Sequence, residues 1–388
     1  MTMTNRLILG DNLKVMSRLC ESDAGRFQMA YLDPPYNTGG TPEDYADARD
    51  HDQWLQFIGD RLRALRPLMA DRGVVFVQID DREQAYLKVL MDEHFGRDRC
   101  LAHVVVKMSE LSGVKMSHAE RRLPKVKEHL LIYGMGPESR LKNLRRPKAR
   151  EVLSGYLNYY RKIIDNPEAP PAQWELLSIK DWAKARGGLE GLRPGSRQEA
   201  KRLEDLKLQE AHRVVYRTNN RLLAERNLPG IAEVFGPSGR RYISWEGKQI
   251  LFLADHIDEP LSDLWTDLST INLNKEGVGS FRYSKKPEAL LHRCLQLATE
   301  PGDWVIDPFC GSGTTAAVAH KMGRSWLTID CEDHLLSQAK PRLEAVMAGQ
   351  DEGGVTGLLN WSGGGGFELI RWTEVEDATQ VIEAVPPN

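Results

Sequence analysis

One stretch decides the fold of this 388-residue chain: Phe27-Gln28-Met29-Ala30-Tyr31-Leu32-Asp33-Pro34-Pro35-Tyr36. Its first six residues are mostly apolar, which is typical of a strand buried within a parallel sheet. Asp33 then lies where the strand ends, and open α/β sheets bind ligands at the carboxyl ends of their strands. The pattern predicts a site at this turn, although a plain Asp-Pro turn after a strand is the alternative.

The two prolines stiffen the turn. Each fixes φ and lacks an N–H donor, so the carbonyls of Pro34 and Pro35 can only accept hydrogen bonds. Asp33 adds a carboxylate and Tyr36 adds an aromatic ring. Together these groups can hold and polarise a planar amine. We therefore predict that Asp33, Pro34, Pro35 and Tyr36 are catalytic.

A second stretch, Asp307-Pro308-Phe309-Cys310-Gly311-Ser312-Gly313-Thr314, joins a predicted strand to a predicted helix. Glycines let the backbone approach a ligand closely, and a helix N-terminus offers free N–H groups. The next predicted strand ends in Asp330, about twenty residues on, where nucleotide-binding folds place the acid that binds ribose hydroxyls. These features predict a pocket for a nucleoside cofactor. The absence of the G-x-G-x-x-G spacing argues against a dinucleotide.

Composition is that of an ordinary globular protein, with 41% hydrophobic and 28% charged residues. No apolar run reaches the ~18 residues of a membrane span. The first residues lack the layout of a signal peptide. The five cysteines show no CxxC spacing, so we predict neither a metal site nor a disulfide framework, and we expect a cytoplasmic protein.

Charge is unevenly distributed along the chain. The formal net charge is −3, yet Lys and Arg outnumber Asp and Glu by about ten between Arg140 and Lys248. Residues in this segment that suit a DNA-facing surface are Arg145, Arg146, Lys148, Arg150, Tyr156, Tyr159 and Tyr160. The asymmetry predicts a nucleic-acid face attached to an acidic catalytic body.

The order of predicted elements indicates a doubly wound α/β sheet interrupted by an insertion. Strands alternate with helices over residues 1–138 and again over 263–347. Residues 139–262 instead show charged helical stretches with Gly and Pro between them, which we interpret as an inserted domain. Residues 348–388 form a Gly-rich C-terminal extension, which includes four consecutive glycines at 363–366.

The paired motifs resemble those of the DNA amino-methyltransferases, which modify adenine N6 or cytosine N4 with S-adenosylmethionine. Asp33–Tyr36 match the D-P-P-Y motif, and Asp307–Thr314 match D-P-F-x-G-S-G-T. Their order along the chain is that of the permuted β group, and the likeness covers about residues 5–135 and 260–346. It implies a circularly permuted, mostly parallel, seven-stranded Rossmann-like methyltransferase sheet with an inserted target-recognition domain. Residues 1–138 would be the catalytic half and 263–347 the cofactor-binding half.

The resemblance also implies roles for single residues. Asp11 should lie near the cofactor adenine, with capping of the following helix as the alternative. Ser284 and Lys286 belong to a segment at the methionine end, where Lys286 would face the carboxylate unless it is simply solvated. The cofactor-binding residues implied are Asp11, Ser284, Lys286, Asp307, Phe309, Gly311, Ser312, Gly313, Thr314 and Asp330.

The implied activity is site-specific methylation of adenine N6, on a base rotated out of duplex DNA. An N4-cytosine enzyme of the same fold is an open alternative because both bases present an equivalent amine, although the initial Asp of the tetrapeptide favours adenine. A catalytically minor DNA-binding subunit of a restriction system is the other alternative. The Gly-rich end is similar to type III-like modification subunits. The expected partner is double-stranded DNA, with no membrane, and a homodimer and a cognate restriction subunit stay open.

Overall fold

The computed structural model describes residues 4–37, 49–109, 123–226, 228–270, 273, 276–277, 285–331, 335–373 and 378–386. Ser284 lies outside the described residues. The chain divides into two compact units. The first unit comprises residues 1–143 and 262–388, and the second unit comprises residues 144–261. None of the described helices is both long enough and apolar enough to cross a membrane.

The described strands are, in chain order, β1 (Asn5–Leu9), β2 (Phe27–Leu32), β3 (Met69–Ile79), β4 (Cys100–Lys107), β5 (Lys127–Gly134), β6 (Arg145–Pro147), β7 (Lys162–Ile164), β8 (Leu176–Ser178), β9 (Val214–Thr218), β10 (Ile231–Phe235), β11 (Arg241–Trp245), β12 (Lys248–Phe252), β13 (Asp258–Pro260), β14 (Leu264–Trp265), β15 (Trp304–Asp307), β16 (Ser325–Asp330), β17 (Phe367–Thr373) and β18 (Ala378–Val385).

The described α-helices are, in chain order, α1 (Asn12–Leu19), α2 (His51–Leu65), α3 (Gln84–Phe95), α4 (Arg150–Leu157), α5 (Ile179–Ala185), α6 (Arg197–Gln209), α7 (Arg221–Arg226), α8 (Glu288–Ala298), α9 (Thr314–Lys321), α10 (Lys340–Met347) and α11 (Thr356–Leu359). A π-helical turn, Leu335–Ala339, leads directly into α10.

The first unit is built on one mixed sheet of ten described strands, in the order β14-β4-β5-β3-β2-β15-β16-β1-β17-β18. β5 runs antiparallel to β3 and β4, and β18 runs antiparallel to β17. The other neighbours are parallel. The predicted α/β class and mostly parallel sheet are confirmed. The sheet is wider than the seven strands expected, because β14 extends one edge and β17 with β18 extends the other.

The predicted strand before Asp33 is β2, at the centre of this sheet. Its neighbours are β3 and β15, both parallel to it. Phe27 and residues 29–32 are at most 1% exposed, which explains their apolar sequence. Burial on both faces is the reason a parallel strand lacks alternation of polar and apolar residues.

Helix α2 ends earlier than its apolar periodicity predicts. Apolar residues recur at helical spacing from Gln53 to Met69, which predicts one helix over that stretch, but the helix ends at Leu65 and a short 3-10 turn, Arg66–Leu68, follows. Pro67 explains the difference, since its ring would clash with the carbonyl four residues back in a continuing α-helix. Strand β3 then begins at Met69, so residues 69–73 belong to a strand and not to a helix end.

The four consecutive glycines connect the helical layer to the sheet edge. Gly363, Gly364 and Gly365 all have positive φ, at 102°, 114° and 74°. A Cβ on Gly365 would lie 2.5 Å from the His320 ring. The Gly364 N–H donates to the carbonyl of Met347 at 2.7 Å, and β17 then pairs with β1. The glycines are required because the backbone both turns left-handed and passes tightly over α9.

We expect Gly365→Ala to lower the free energy of unfolding by about 3 kcal/mol, from left-handed backbone strain plus the clash with His320. Gly357→Ala is the matched control, because Gly357 lies in α11 with open space around its Cα. That control should change stability by less than about 1 kcal/mol. Urea unfolding of both variants measures the difference, and equal losses would contradict the role given to the glycine run.

The second unit has a sheet of its own, which the sequence pattern did not predict. Its six described strands run in the order β10-β11-β12-β9-β7-β8, and each pair is antiparallel. β6 and β13 pair separately, and the Leu261 N–H donates to the Leu144 carbonyl at 2.8 Å. The chain therefore enters and leaves this unit at adjacent points, as is common where one domain is inserted into another.

The basic and aromatic residues expected on a DNA-facing surface are only partly available in the second unit. Arg145, Arg146 and Arg150 form ion pairs with Asp258, Glu259 and Asp205 at 2.8, 2.9 and 2.6 Å. These pairs neutralise part of the predicted positive charge.

The tyrosines of that set differ from one another. Tyr156 and Tyr159 are 45% and 67% exposed. Tyr160 is only 1% exposed and stacks edge-on against Tyr216, with ring centroids 5.0 Å apart. Placing Tyr160 on the surface was wrong, because its ring packs in the apolar core of the second unit together with Leu157 and Ile163.

Candidate active site

Three acids singled out from the sequence lie at the carboxyl-terminal ends of adjacent strands in the sheet of the first unit. Asp33 follows β2, while Asp307 and Asp330 are the last residues of β15 and β16. β15 pairs in parallel with both β2 and β16. Parallel pairing brings the carboxyl ends of these strands together, although the first motif lies far from the others in the sequence.

The Asp-Pro-Pro-Tyr turn is anchored to α2. The indole N–H of Trp54 donates to the Pro35 carbonyl at 2.8 Å, and Trp54 is fully buried. The Pro35 carbonyl is therefore already occupied. Asn37 follows with a φ of 56°, and its side-chain amide donates to Glu83 at 2.9 Å. A buried side chain on each side of the turn fixes the position of Asp33 and Tyr36.

Lys286 contacts the Asp-Pro-Pro-Tyr turn directly. Its Nζ lies 3.1 Å from Asp33 Oδ1 and donates to the Tyr36 hydroxyl at 2.9 Å. The ammonium also lies 4.9 Å from the centre of the Tyr36 ring. The Tyr36 hydroxyl lies 2.7 Å from Asp33 Oδ1. Lys286 is only 7% exposed, so the alternative of a solvated lysine is wrong.

Glu128 on β5 completes this cluster and was not found from the sequence. Its Oε2 lies 2.9 Å from the Tyr36 hydroxyl and 3.2 Å from Lys286 Nζ. Gln78 on β3 donates to the same oxygen at 2.5 Å. The one available signal is a charged residue at the start of an otherwise apolar strand. That signal cannot identify a partner, because the partners depend on strand register.

The two carboxylates of the cluster differ in pKa. Burial raises the pKa of Asp33, and the charge of Glu128 adds to this, while Lys286 and Tyr36 oppose it. Burial also disfavours ionised Glu128, but the charge of Lys286 and the donors around it outweigh burial and lower the pKa of Glu128. The pKa of Lys286 is raised, because both carboxylates outweigh its desolvation. Glu128 is thus the more firmly ionised of the two acids.

The glycine loop is held by the acids beside it. The Gly311 N–H donates to Asp330 Oδ2 at 2.9 Å, and the Phe309 N–H donates to Asp307 Oδ1 at 2.9 Å. Gly311 has a φ of 50°, and the atom nearest to an added Cβ would be 3.9 Å away. Gly313, with a φ of 72°, precedes the first residue of α9. One face of the loop is therefore open to a ligand.

The start of α1 is tied to this loop. Asp11 caps the helix by accepting from the Lys14 N–H at 3.0 Å, and its other oxygen lies 3.4 Å from Arg61. Asn12 donates to the Pro308 carbonyl at 2.6 Å and accepts from Arg61 Nε at 2.6 Å. Asp11 therefore caps its helix. Asn12, which the sequence did not single out, connects the two halves of the sheet.

A buried ion cluster lies under the loop. Lys321 contacts Glu288 at 2.9 Å and Asp351 at 2.8 Å, and Arg342 contacts Glu288 at 2.7 Å. None of these four side chains is more than 2% exposed. Arg342 also donates to Thr314 Oγ1 at 2.7 Å. The cluster connects the end of the glycine loop to the start of α8, two residues after Lys286.

The carboxyl of Asp307 should make stability depend on pH. Burial, supported by the charges of Asp33 and Asp330, raises the pKa of Asp307 from 3.8 to about 7, although the Thr315 and Phe309 donors oppose the shift. Between these values the unfolded chain has lost the proton that the folded chain keeps. The free energy of unfolding should therefore fall as pH rises from about 4 to about 7.

We expect Asp307→Asn, which retains an acceptor for the Phe309 N–H, to remove this contribution. Without cofactor, the variant should gain stability relative to wild type by about 4 kcal/mol as pH rises through this window. Urea unfolding at several pH values measures the gain, and parallel pH profiles for the two proteins would contradict the assignment.

Comparison with known proteins identifies the family. The model of the N6/N4 family, described as DNA methylase, matches residues 27–341. The chain belongs to this DNA methylase family. Its members are methyltransferases that use S-adenosylmethionine, as the two motifs of the sequence implied. The match includes the Asp-Pro-Pro-Tyr turn, Glu128, Lys286 and the glycine loop.

Two curated relatives of this DNA methylase are type III modification subunits. The probable HindVI Mod subunit of Haemophilus influenzae is 34% identical over 95% of this chain and 54% of its own length. The StyLTI Mod subunit of Salmonella typhimurium is 25% identical, over 80% of this chain and 49% of its own length. The chain thus spans about half the length of these relatives. The type II methyltransferase M.EcaI of Enterobacter cloacae is 25% identical over 84% of the chain and 67% of its own length.

Proposed function

We propose that this chain transfers a methyl group from S-adenosylmethionine to the N6 amine of adenine in duplex DNA. The observation that carries the proposal is the position of Asp33. This residue directly follows β2, and the glycine loop directly follows β15, the parallel neighbour of β2. A base held at Asp33 and a cofactor held at the loop would then meet at the carboxyl-terminal ends of these two strands. The type III modification subunits among the relatives support this activity.

The residues of the loop fit a nucleoside cofactor. The open face of Gly311 leaves room for a ligand, and the buried carboxylate of Asp330 can accept from ribose hydroxyls. Phe309 would pack on the cofactor, and the backbone of Gly311–Thr314 would surround it. Asp11 and Lys286 would lie towards its adenine and methionine ends.

Catalysis would consist mainly of orientation and electrostatics. The lone pair of an adenine amine is delocalised into the ring, so the amine is a poor nucleophile. Asp33 and the Pro34 carbonyl would accept its two N–H groups and so direct the lone pair away from the ring. When bound, S-adenosylmethionine supplies an electrophilic methyl group on its sulfonium. Tyr36 would stack on the base after it has left the duplex.

The second unit would recognise the DNA target. Its exposed Tyr156 and Tyr159 can stack on bases. We interpret this unit as an inserted target-recognition domain. We interpret the order of the two flanking halves as a circular permutation. The half-length match to the type III subunits leaves a homodimer and a cognate restriction subunit as further proposals.

Nucleoside analysis tests the activity. The protein is incubated with methyl-labelled S-adenosylmethionine and unmethylated genomic DNA, and the DNA is digested to nucleosides. Label in N6-methyladenine is expected. Label in N4-methylcytosine would overturn the choice of adenine, and tight DNA binding without label would favour a recruiting subunit.

We expect Asp33→Ala to lower the rate of methyl transfer by at least ~10³-fold, because the amine loses its acceptor. Affinity for S-adenosylmethionine should stay within about threefold of wild type, since Asp33 is assigned to the base. Asp80→Asn is the control, because Asp80 follows the adjacent strand β3 and pairs instead with Lys125. Single-turnover rates and calorimetric cofactor titrations measure both effects. Substantial turnover by Asp33→Ala would contradict the mechanism.

A further inference from the structure

We propose that Glu128 is a positioning residue for methyl transfer, which takes over the Tyr36 hydroxyl and the Lys286 ammonium so that the Asp33 carboxylate can receive the amine. The inference rests on the proposed function and names a residue that neither sequence motif contains. Its basis is the hydrogen-bond geometry of four side chains at the end of β2.

Two donors of the cluster, the Lys286 ammonium and the Tyr36 hydroxyl, share one oxygen of Asp33. The Lys286 ammonium has three N–H donors, and its three acceptors are Asp33, Tyr36 and Glu128, at 3.1, 2.9 and 3.2 Å. The Tyr36 hydroxyl has one proton and two carboxylates within reach, at 2.7 Å for Asp33 and 2.9 Å for Glu128. Burial and both carboxylates raise the pKa of Tyr36 well above 10, so the hydroxyl keeps that proton.

An amine that bonds to Asp33 Oδ1 competes with two donors already there. Tyr36 and Lys286 both contact this oxygen. Glu128 Oε2 is an acceptor for each of them at nearly the same distance, so each keeps one charge-assisted hydrogen bond when it leaves Asp33. Without the charge of Glu128, both donors would stay on Asp33 and oppose binding of the amine.

Two buried side chains that do not contact Asp33 by a described hydrogen bond, Tyr31 and Gln78, hold Glu128 in position. Tyr31 on β2 donates to Gln78 Oε1, which orients the amide so that Nε2 faces Glu128 at 2.5 Å. Tyr31 and Gln78 are 1% and 0% exposed. A fully buried amide has one orientation that satisfies both partners. The hydrogen bonds from Tyr31 to Gln78 and from Gln78 to Glu128 therefore hold the Glu128 carboxylate in place. Adjacent strands β2, β3 and β5 thus supply three successive members of one network.

Glu128 should also set the pH at which Asp33 ionises. The charged and titratable groups that face Asp33 are Lys286 before α8, Glu128 on β5, Tyr36 in the turn, Tyr31 on β2 and Asp307 on β15. Of these, Glu128 and Asp307 disfavour ionised Asp33, while Lys286 favours it. Neutralising Glu128 therefore lowers the pKa of Asp33. The acid limb of the rate, which reports protonation of Asp33, moves to lower pH.

Glu128→Gln preserves the size of the side chain and removes its charge. We expect the single-turnover rate at pH 7.5 to fall about 10²-fold, as for a misplaced reacting group. The acid limb should move down by roughly one pH unit. Affinity for S-adenosylmethionine should change by less than about threefold. Glu128→Asp, which keeps the charge, should retain the acid limb of wild type and recover part of the rate.

Asp23→Asn is the matched control. Asp23 is also buried and pairs with Arg6 and Arg26, without a described contact to Asp33, Tyr36 or Lys286. Its acid limb should coincide with that of wild type. All rates are measured by rapid quench with labelled S-adenosylmethionine and unmethylated genomic DNA, between pH 5 and pH 8.5.

The outcomes separate this inference from the proposed function. Absence of transfer by the wild-type protein would overturn the proposed function itself. With an active wild type, a slower Glu128→Gln whose acid limb has not moved would reduce Glu128 to a structural role and overturn the inference. An unchanged rate would do the same. Should Glu128→Gln show no turnover at any pH, an equally inactive Glu128→Asp would also overturn it.

Discussion

The site depends on one constraint, which is the crowding of carboxylates at the carboxyl-terminal ends of the central strands. Asp33, Asp307 and Asp330 end neighbouring parallel strands, and Glu128 joins them from β5. Such a group can exist in a buried place only if donors surround it. Lys286 supplies a full positive charge, and the backbone N–H groups of the glycine loop supply partial ones. The donors that offset the burial of these acids therefore belong to the same residues and loop that would hold the base and the cofactor.

The sheet is what makes a composite site from distant segments. β2 and β15 are parallel neighbours, so the first motif and the glycine loop share an edge although most of the chain lies between them. Residues beyond 347 contribute as well, since Asp351 closes the buried ion cluster below the loop and β17 pairs with β1. The C-terminal segment is therefore part of the first unit. The helices α8, α9 and α10 are tied to it through this ion cluster.

Sequence reasoning found what local patterns encode. The buried strand before Asp33 and the Gly311–Gly313 loop each carry their own signal in adjacent residues. Glu128, Gln78 and Asn12 carry none, because their importance comes from which strands and loops they face after folding. Pro67 indicates that α2 ends early, whereas the helical spacing of apolar residues as far as Met69 favours a longer helix. The sheet of the second unit and the burial of Tyr160 depend on packing of short, weakly patterned strands, which sequence alone does not fix.

The central claim is that Asp33 receives the target amine while Lys286 and Tyr36 turn to Glu128. A crystal structure with an adenine-containing duplex and a non-reactive analogue of S-adenosylmethionine measures this most directly. We expect an adenine N6 within about 3 Å of Asp33 Oδ1, with Lys286 and Tyr36 still bonded to Glu128. A bound base whose amine lies away from Asp33, while Lys286 remains on that carboxylate, would contradict it.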